Sequence, residues 1–332
     1  MNELLTKVLA GKPRAIARTI TQVENSEEAA KTAVSFLYPH TGKAHIIGIT
    51  GPPGSGKSTL VNALAKTFRQ RDLRVAIMAV DPSSPFTGGA LLGDRVRMQE
   101  LSGDKGVFIR SMASRGSLGG LARATTAVLK VLDAAGYDKI LVETVGAGQA
   151  EIAIARAAHT TLVIEAPGMG DEVQSIKAGI LEIADILVVN KADRPGAAHT
   201  VKSLEMMLHL GPTGGTRHHG RIVEAPAVVA QREEGAWQIP VLRTVAIEKE
   251  GVATLVDTID AHRTHLTSTG QWVAREKEQR EQELLDLLQA RFLAWMETDV
   301  SAPEREELIT AVVNRELDPY TATDKLFEQL LP

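Results

Sequence analysis

Residues 44–59 read AHIIGITGPPGSGKST, and the rest of the chain is arranged around them. The β-branched run from His45 to Thr50 predicts a buried strand; glycines and two prolines break it, and Lys57-Ser58-Thr59 open a helix reaching about Arg69. The pattern is GxxxxGKS between a strand and a helix. Across Gly51, Pro52, Pro53, Gly54, Ser55 and Gly56, the glycines let backbone N–H groups curl around phosphate oxygens. Lys57 reaches the β- and γ-phosphates and Ser58 offers a hydroxyl to Mg²⁺. Thr59 lies in the first helical turn, whose positive end faces the anion. A purely structural glycine turn is the alternative, and the flanking strand and helix favour the phosphate site.

Working outward, strands are predicted at 45–50, 74–80, 106–110, 138–143, 160–165, 185–190 and 239–245, several of them near-continuous apolar runs. Helical patterns fall at 58–69, 118–135, 148–158, 172–183, 196–210 and 222–233, with another helix from about Val252; the Gly-rich stretch 211–221 reads as an exposed loop. That alternation predicts an α/β fold of the P-loop NTPase type, a doubly wound, mostly parallel sheet with helices on both faces. Residues 2–37 carry helical periodicity broken at Gly11-Lys12-Pro13, a helical preface that packs either on the core or on a partner. From about Gly270 a charged amphipathic helix presents Leu284, Leu285, Leu288, Phe292 and Trp295 on one face, more apolar surface than an isolated helix needs. Two shorter helices, near 303–314 and 319–330, finish the chain. The expected divisions are an N-terminal helical extension, 1–43, a nucleotide-binding domain, 44–269, and a C-terminal helical arm, 270–332.

At 332 residues and 44 % hydrophobic, the chain can build one large α/β domain with appended helices. A net charge of −4 gives no reason to expect nucleic acid. No run approaches the ~18 apolar residues of a membrane span, and the amino terminus is polar and amphipathic, so a cytoplasmic location away from membranes is expected. The sequence has 0 cysteines, which excludes disulfides, thiolate catalysis and Cys-ligated metals. Oxygen or histidine ligands remain, which suits Mg²⁺.

Asn190-Lys191-Ala192-Asp193 closes the strand ADILVV. The Asp193 carboxylate can accept both the ring N–H and the exocyclic amine of guanine, a donor pair adenine lacks, so GTP and GDP are the expected nucleotides. Asn190 is expected to steady the loop and reach the purine edge, with the Lys191 stem along the base plane. Alone, NKxD also reads as a surface turn; its place downstream of the phosphate loop favours guanine.

Asp81 ends the second strand and opens DPSSPFTGGALLGDR, a segment with little to bury that is a candidate to order on γ-phosphate and metal. Asp81 and Asp94 each either reach the metal or serve locally, Asp81 capping a turn and Asp94 pairing with Arg95 or Arg97. Glu143-Thr144-Val145-Gly146 ends another strand, with a carboxylate for the metal and a glycine N–H for the γ-phosphate. The longer arm of Glu also permits general-base work on water, so Lys57 and Glu143 are the catalytic candidates. Arg110 and Arg115 read as phosphate-stabilising, as reaching across a dimer, or as solvated, and His209, His218 and His219 as solvent-facing.

With DPSSPFTGGALLGDR, RSMASRG, ETVGAGQ and NKAD in order, the chain resembles the MeaB/ArgK family of SIMIBI-class P-loop G proteins, associated with methylmalonyl-CoA mutase. The similarity spans nearly the whole chain, and the long middle strings carry it. The resemblance implies a GTPase that forms a homodimer through its C-terminal helical arm, with Mg²⁺ at Ser58, Asp81, Asp94 and Glu143. It implies guanine contacts at Asn190, Lys191 and Asp193, then at Thr244-Val245-Ala246. That loop departs from the serine-alanine pair common in G proteins, so the base would meet backbone N–H groups. It further implies a GTP-dependent chaperone that binds an adenosylcobalamin-dependent mutase, gates cofactor loading and guards it from inactivation. A related name in the family points instead to an ATPase or kinase of arginine and ornithine (LAO/AO) periplasmic transport. NKxD weighs against that, as does the need to meet such a partner before export.

Overall fold

The apolar runs become parallel strands: β1 (His45–Thr50), β2 (Val75–Pro82), β3 (Val107–Ser114), β4 (Lys139–Thr144), β5 (Thr160–Glu165), β6 (Ile186–Asn190) and β7 (Val241–Thr244), of which β1, β4, β5 and β6 are buried along their whole length. The computed structural model describes residues 2–82, 99–101, 103–114, 118–144, 150–168, 183–210, 235–298 and 302–328. The helix expected at 172–183 lies outside the described residues except for its last position, and the helix at 222–233 and the loop at 211–221 lie wholly outside them. Among the described residues the sheet has 7 strands in the order β3-β2-β4-β1-β5-β6-β7. β1 is central: Ile49 lies opposite Glu143 of β4 and Leu162 of β5. The chain order reverses across it, so its carboxyl end opens into the crevice where such sheets bind ligands.

Strand residues alternate between two faces. Ile46, Met78 and Ile140 face one side, and Ile47, Ile49, Ile77, Leu141 and Ile164 the other. The second face is covered by α4 (Lys57–Gln70) and α8 (Val252–Ser268), through Leu60, Leu64, Phe68, Leu255 and Ile259. The first is covered by α5 (Leu118–Ala134) and α6 (Ala150–Ala157), while α7 (Ala197–Leu210) packs on Leu187 and Val189 of β6.

The helical preface packs on this core. It forms α1 (Asn2–Leu9), α2 (Pro13–Asn25) and α3 (Glu27–Leu37). Pro13 starts α2, and the Ser26 hydroxyl accepts from the Ala29 N–H to cap α3. Ile16, Ile20 and Val23 of α2 form one buried stripe in the same cluster as Val128 and Leu132 of α5. Asp133 of α5 accepts hydrogen bonds from the Gly42, Lys43 and Ala44 N–H groups, fixing the entry into β1.

The chain divides into two compact units, Met1–Gln279 and Arg280–Pro332. The long helix α9 (Gln271–Thr298) therefore gives its first turns to the first unit. There Arg275 makes two 2.9 Å bonds to Asp185, the Trp272 ring meets that of His159 at a tilt with centroids 4.1 Å apart, and Gln279 donates to the Ala158 carbonyl. Within the second unit, Phe292 of α9 stacks on Phe327 of α11 (Pro319–Glu328), with α10 (Ala302–Val313) between them in sequence. Leu284, Leu285 and Leu288 are exposed by 62, 55 and 64 %.

Candidate functional site

The phosphate loop begins where β1 meets β5. Gly51 has φ +140°, and a Cβ there would lie 2.1 Å from the Ile164 carbonyl oxygen, so only glycine fits. Gly56 has φ +92°, and a Cβ there would lie 2.4 Å from Asn190 Nδ2. Gly56 precedes α4 and no side chain caps the helix, which leaves its amino-terminal N–H groups facing the loop. The Lys57 side chain is buried and bends over the loop, its Nζ donating to the Gly51 and Pro52 carbonyls at 2.8 and 3.0 Å. Pro53 and Gly54 form the exposed crest, and Thr59 is half-buried in the first turn of α4.

Beneath the loop, the Ser58 hydroxyl donates to Glu143 Oε1 at 2.6 Å. Glu143 is 1 % exposed, near the carboxyl end of β4, so two hard oxygen donors from distant segments meet here. A second acid, not among the residues expected from the sequence, sits at the end of β5. Glu165 is buried, and burial pushes its carboxyl up to about 7, with the Lys57 charge pulling the other way. The signal available was an acid closing an apolar strand beside the loop.

The Asn-Lys-x-Asp motif closes β6. Asn190 is buried and bridges two loops: its Nδ2 donates to the Ser55 carbonyl at 2.9 Å, and its Oδ1 accepts from Thr244 Oγ1 at 3.1 Å and the Ala246 N–H at 3.2 Å. Lys191, at φ +56°, stretches to the Gly54 carbonyl at 2.7 Å, and Asp193 is exposed. The Val245 N–H donates to the Glu250 carbonyl at 3.0 Å, so both backbone donors expected to meet the base are bonded within the protein. Asn190 here braces the loops.

The structure thus brings together Gly51 to Ser58, Glu143, Asn190, Lys191 and the 244–246 loop. Asp81 is the penultimate residue of β2 and His209 lies on α7, each with its side chain outside the described residues; Asp94, Gly146, Arg115, His218 and His219 fall outside them altogether. Arg110 turns away from the loop, donating to Thr21 Oγ1 at 3.1 Å and pairing with Glu24 of α2. Among the described residues no group of three or more His, Asp or Glu could hold a metal ion, and no helix is long and apolar enough to cross a membrane.

A phosphate loop, a buried carboxylate on its serine and an Asn-Lys-x-Asp loop along one edge of a parallel sheet define a P-loop GTPase. The chain belongs to the MeaB family: the family described as methylmalonyl-CoA mutase-associated GTPase MeaB matches residues 16–301. A Pyrococcus abyssi protein carrying a GTPase name is 46 % identical over 331 residues, covering 100 % of this chain and 97 % of its own. GTPase ArgK of Escherichia coli is 34 % identical over 338 residues, covering 98 and 95 %. Among solved structures, that of a LAO/AO transport system kinase superposes with a TM-score of 0.71 at 26 % identity, covering 100 % of this chain and 97 % of that one.

Proposed function

We propose that the protein binds Mg·GTP over residues 51–59 and acts as a nucleotide-gated chaperone of an adenosylcobalamin-dependent methylmalonyl-CoA mutase, controlling cofactor loading and guarding against inactivation. The observation that carries the nucleotide site is Asn190, whose one buried amide ties Ser55 of the phosphate loop to Thr244 and Ala246. The two loops therefore form a single cradle. In this reading the loop N–H groups and the first turn of α4 hold the phosphates, and Lys57 turns from the loop carbonyls to the β- and γ-phosphates. Asp193 accepts the guanine donors, the Lys191 stem lies along the base, and Val245 and Ala246 wall the pocket.

The donor set fits Mg²⁺: Ser58 and Glu143 are hard oxygen ligands 2.6 Å apart, and Asp81 and Asp94 complete the set in this proposal. Bound there, the ion would neutralise charge on the β- and γ-phosphates. Glu143 takes the proton of the attacking water, and the Gly146 N–H meets the γ-phosphate. The part of the arm beyond Gln279 makes a homodimer, a reading supported by the exposure of Leu284, Leu288, Ile309 and Val313. The family's name supports the mutase partner, and a cytoplasmic location is part of this reading. The transport role in the solved relative's name gains no support from the Asn190–Asp193 motif, which is built for guanine.

The test is retention of purified mutase on the immobilised protein loaded with GDP or a non-hydrolysable GTP analogue, followed by the rate of adenosylcobalamin loading. Nucleotide-dependent retention and loading are expected. Retention or loading indifferent to the nucleotide contradicts the chaperone reading.

A further inference from the structure

The acid at the end of β5 is not accounted for by the phosphate loop or the guanine motif. Glu165 is 5 % exposed and stands opposite Val189 of β6. The carbonyl of the preceding residue, Ile164, is where a Cβ on Gly51 would collide, so the strand end abuts the first turn of the phosphate loop. Among the described residues, the charged group whose field reaches Glu165 is Lys57, folded back onto the Gly51 and Pro52 carbonyls. A buried acid, a buried ammonium and the loop therefore share one corner of the sheet.

We propose that Glu165 is a positioning residue of the phosphate loop: it is the counter-charge of Lys57 in the nucleotide-free protein and takes up one proton when a nucleoside diphosphate or triphosphate engages that ammonium. The inference rests on the reading that phosphate binds at 51–59. One ammonium cannot neutralise a phosphate and a buried carboxylate together, and burial leaves little water to screen their repulsion. Protonation relieves it, with the proton drawn from the buffer. The nucleotide-free carboxyl, already held up at about 7 by burial, needs only the loss of Lys57's pull and the approach of an anion to rise further. The linkage has a fixed sign: above about pH 7 the free protein has lost this proton and the complex keeps it, so binding weakens as pH rises.

The experiment is calorimetric titration of the full chain with GDP and Mg²⁺ at about pH 8, in HEPES and in Tris, whose ionisation enthalpies differ. The heats should differ by the amount that uptake approaching one proton per GDP requires. Affinity should fall about tenfold between roughly pH 8 and 9. E165Q should bind GDP with buffer-independent heat and a flat pH profile, and E165M serves where the glutamine variant does not fold. GDP binding by the wild type without proton uptake overturns the inference and leaves the phosphate site standing. Proton uptake that persists in the folded variant also overturns it. Failure of the wild type to bind GDP overturns the underlying reading.

Discussion

Asn190 donates its side-chain amide to the Ser55 carbonyl at 2.9 Å, joining two motifs 135 positions apart in the chain. The same side chain holds Thr244 and Ala246. Asn190→Ala leaves the Ser55 carbonyl and the Thr244 hydroxyl without this partner in a buried setting. It should cost roughly 2 kcal/mol of stability and weaken GDP binding by about tenfold or more. Thermal unfolding with and without GDP checks both; unchanged affinity would mean that the bridge does not shape the site.

Lys57 supplies the ammonium that the loop now holds on its own carbonyls. Lys57→Ala should lower GTP hydrolysis by on the order of a hundredfold or more, as loss of one transition-state donor does. Phosphate release under saturating GTP is the measurement, and an unaltered rate would remove the loop from the reaction.

His262 is buried, with Nδ1 2.8 Å from Thr160 Oγ1 and Nε2 3.4 Å from Asp185. Burial lowers its pKa from 6.5 to about 4 although Asp185 pulls it upward, and burial lowers that of His45 as well. The unfolded chain binds these protons below about pH 6.5 and the folded chain does not. Stability should therefore fall as pH drops from 6.5 towards 4, by at most roughly 3 kcal/mol for His262. Glu165, with its raised pKa, acts in the opposite sense between about 4.5 and 7. The readout is consequently the difference in urea midpoint between the wild type and His262→Gln at pH 7.5 and 5, where the variant should lose less.

The unit Met1–Gln279 contains Trp272, Arg275 and Gln279, which contact His159, Asp185 and Ala158. A chain ending at Gln279 should stay folded, bind GDP and be monomeric by light scattering. A dimer of that chain would contradict the role given to the arm. Ending at Thr269 should instead cost stability, because Asp185 loses a bidentate partner; the cost is about 2 kcal/mol.

Much of this was legible because it is local. The strand His45–Thr50, its glycine loop and the Asn190 motif are contiguous strings, and the structure sets their segments side by side. The insertion of β4 between β1 and β2 was not legible, since parallel pairing joins Ile49 to Glu143 with no local signal. Arg275 sits in a charged run that reads as a solvated face, yet it clamps Asp185. Glu165 hides at the end of TTLVIE, where the apolar run predicts the strand and says nothing of a buried acid beside Lys57. The preface, open between core and partner, is settled by the stripe Ile16, Ile20 and Val23 packing into the core with α5.

The central claim is a site that reads guanine through Asp193. Calorimetric titration with GDP and with ADP tests it most directly, with Asp193→Asn as the companion variant. GDP should bind the wild type more tightly than ADP by on the order of a thousandfold or more, because adenine leaves the carboxylate without its two donors. Asp193→Asn should erase most of that preference. Equal affinity of the wild type for the two nucleotides would contradict the account.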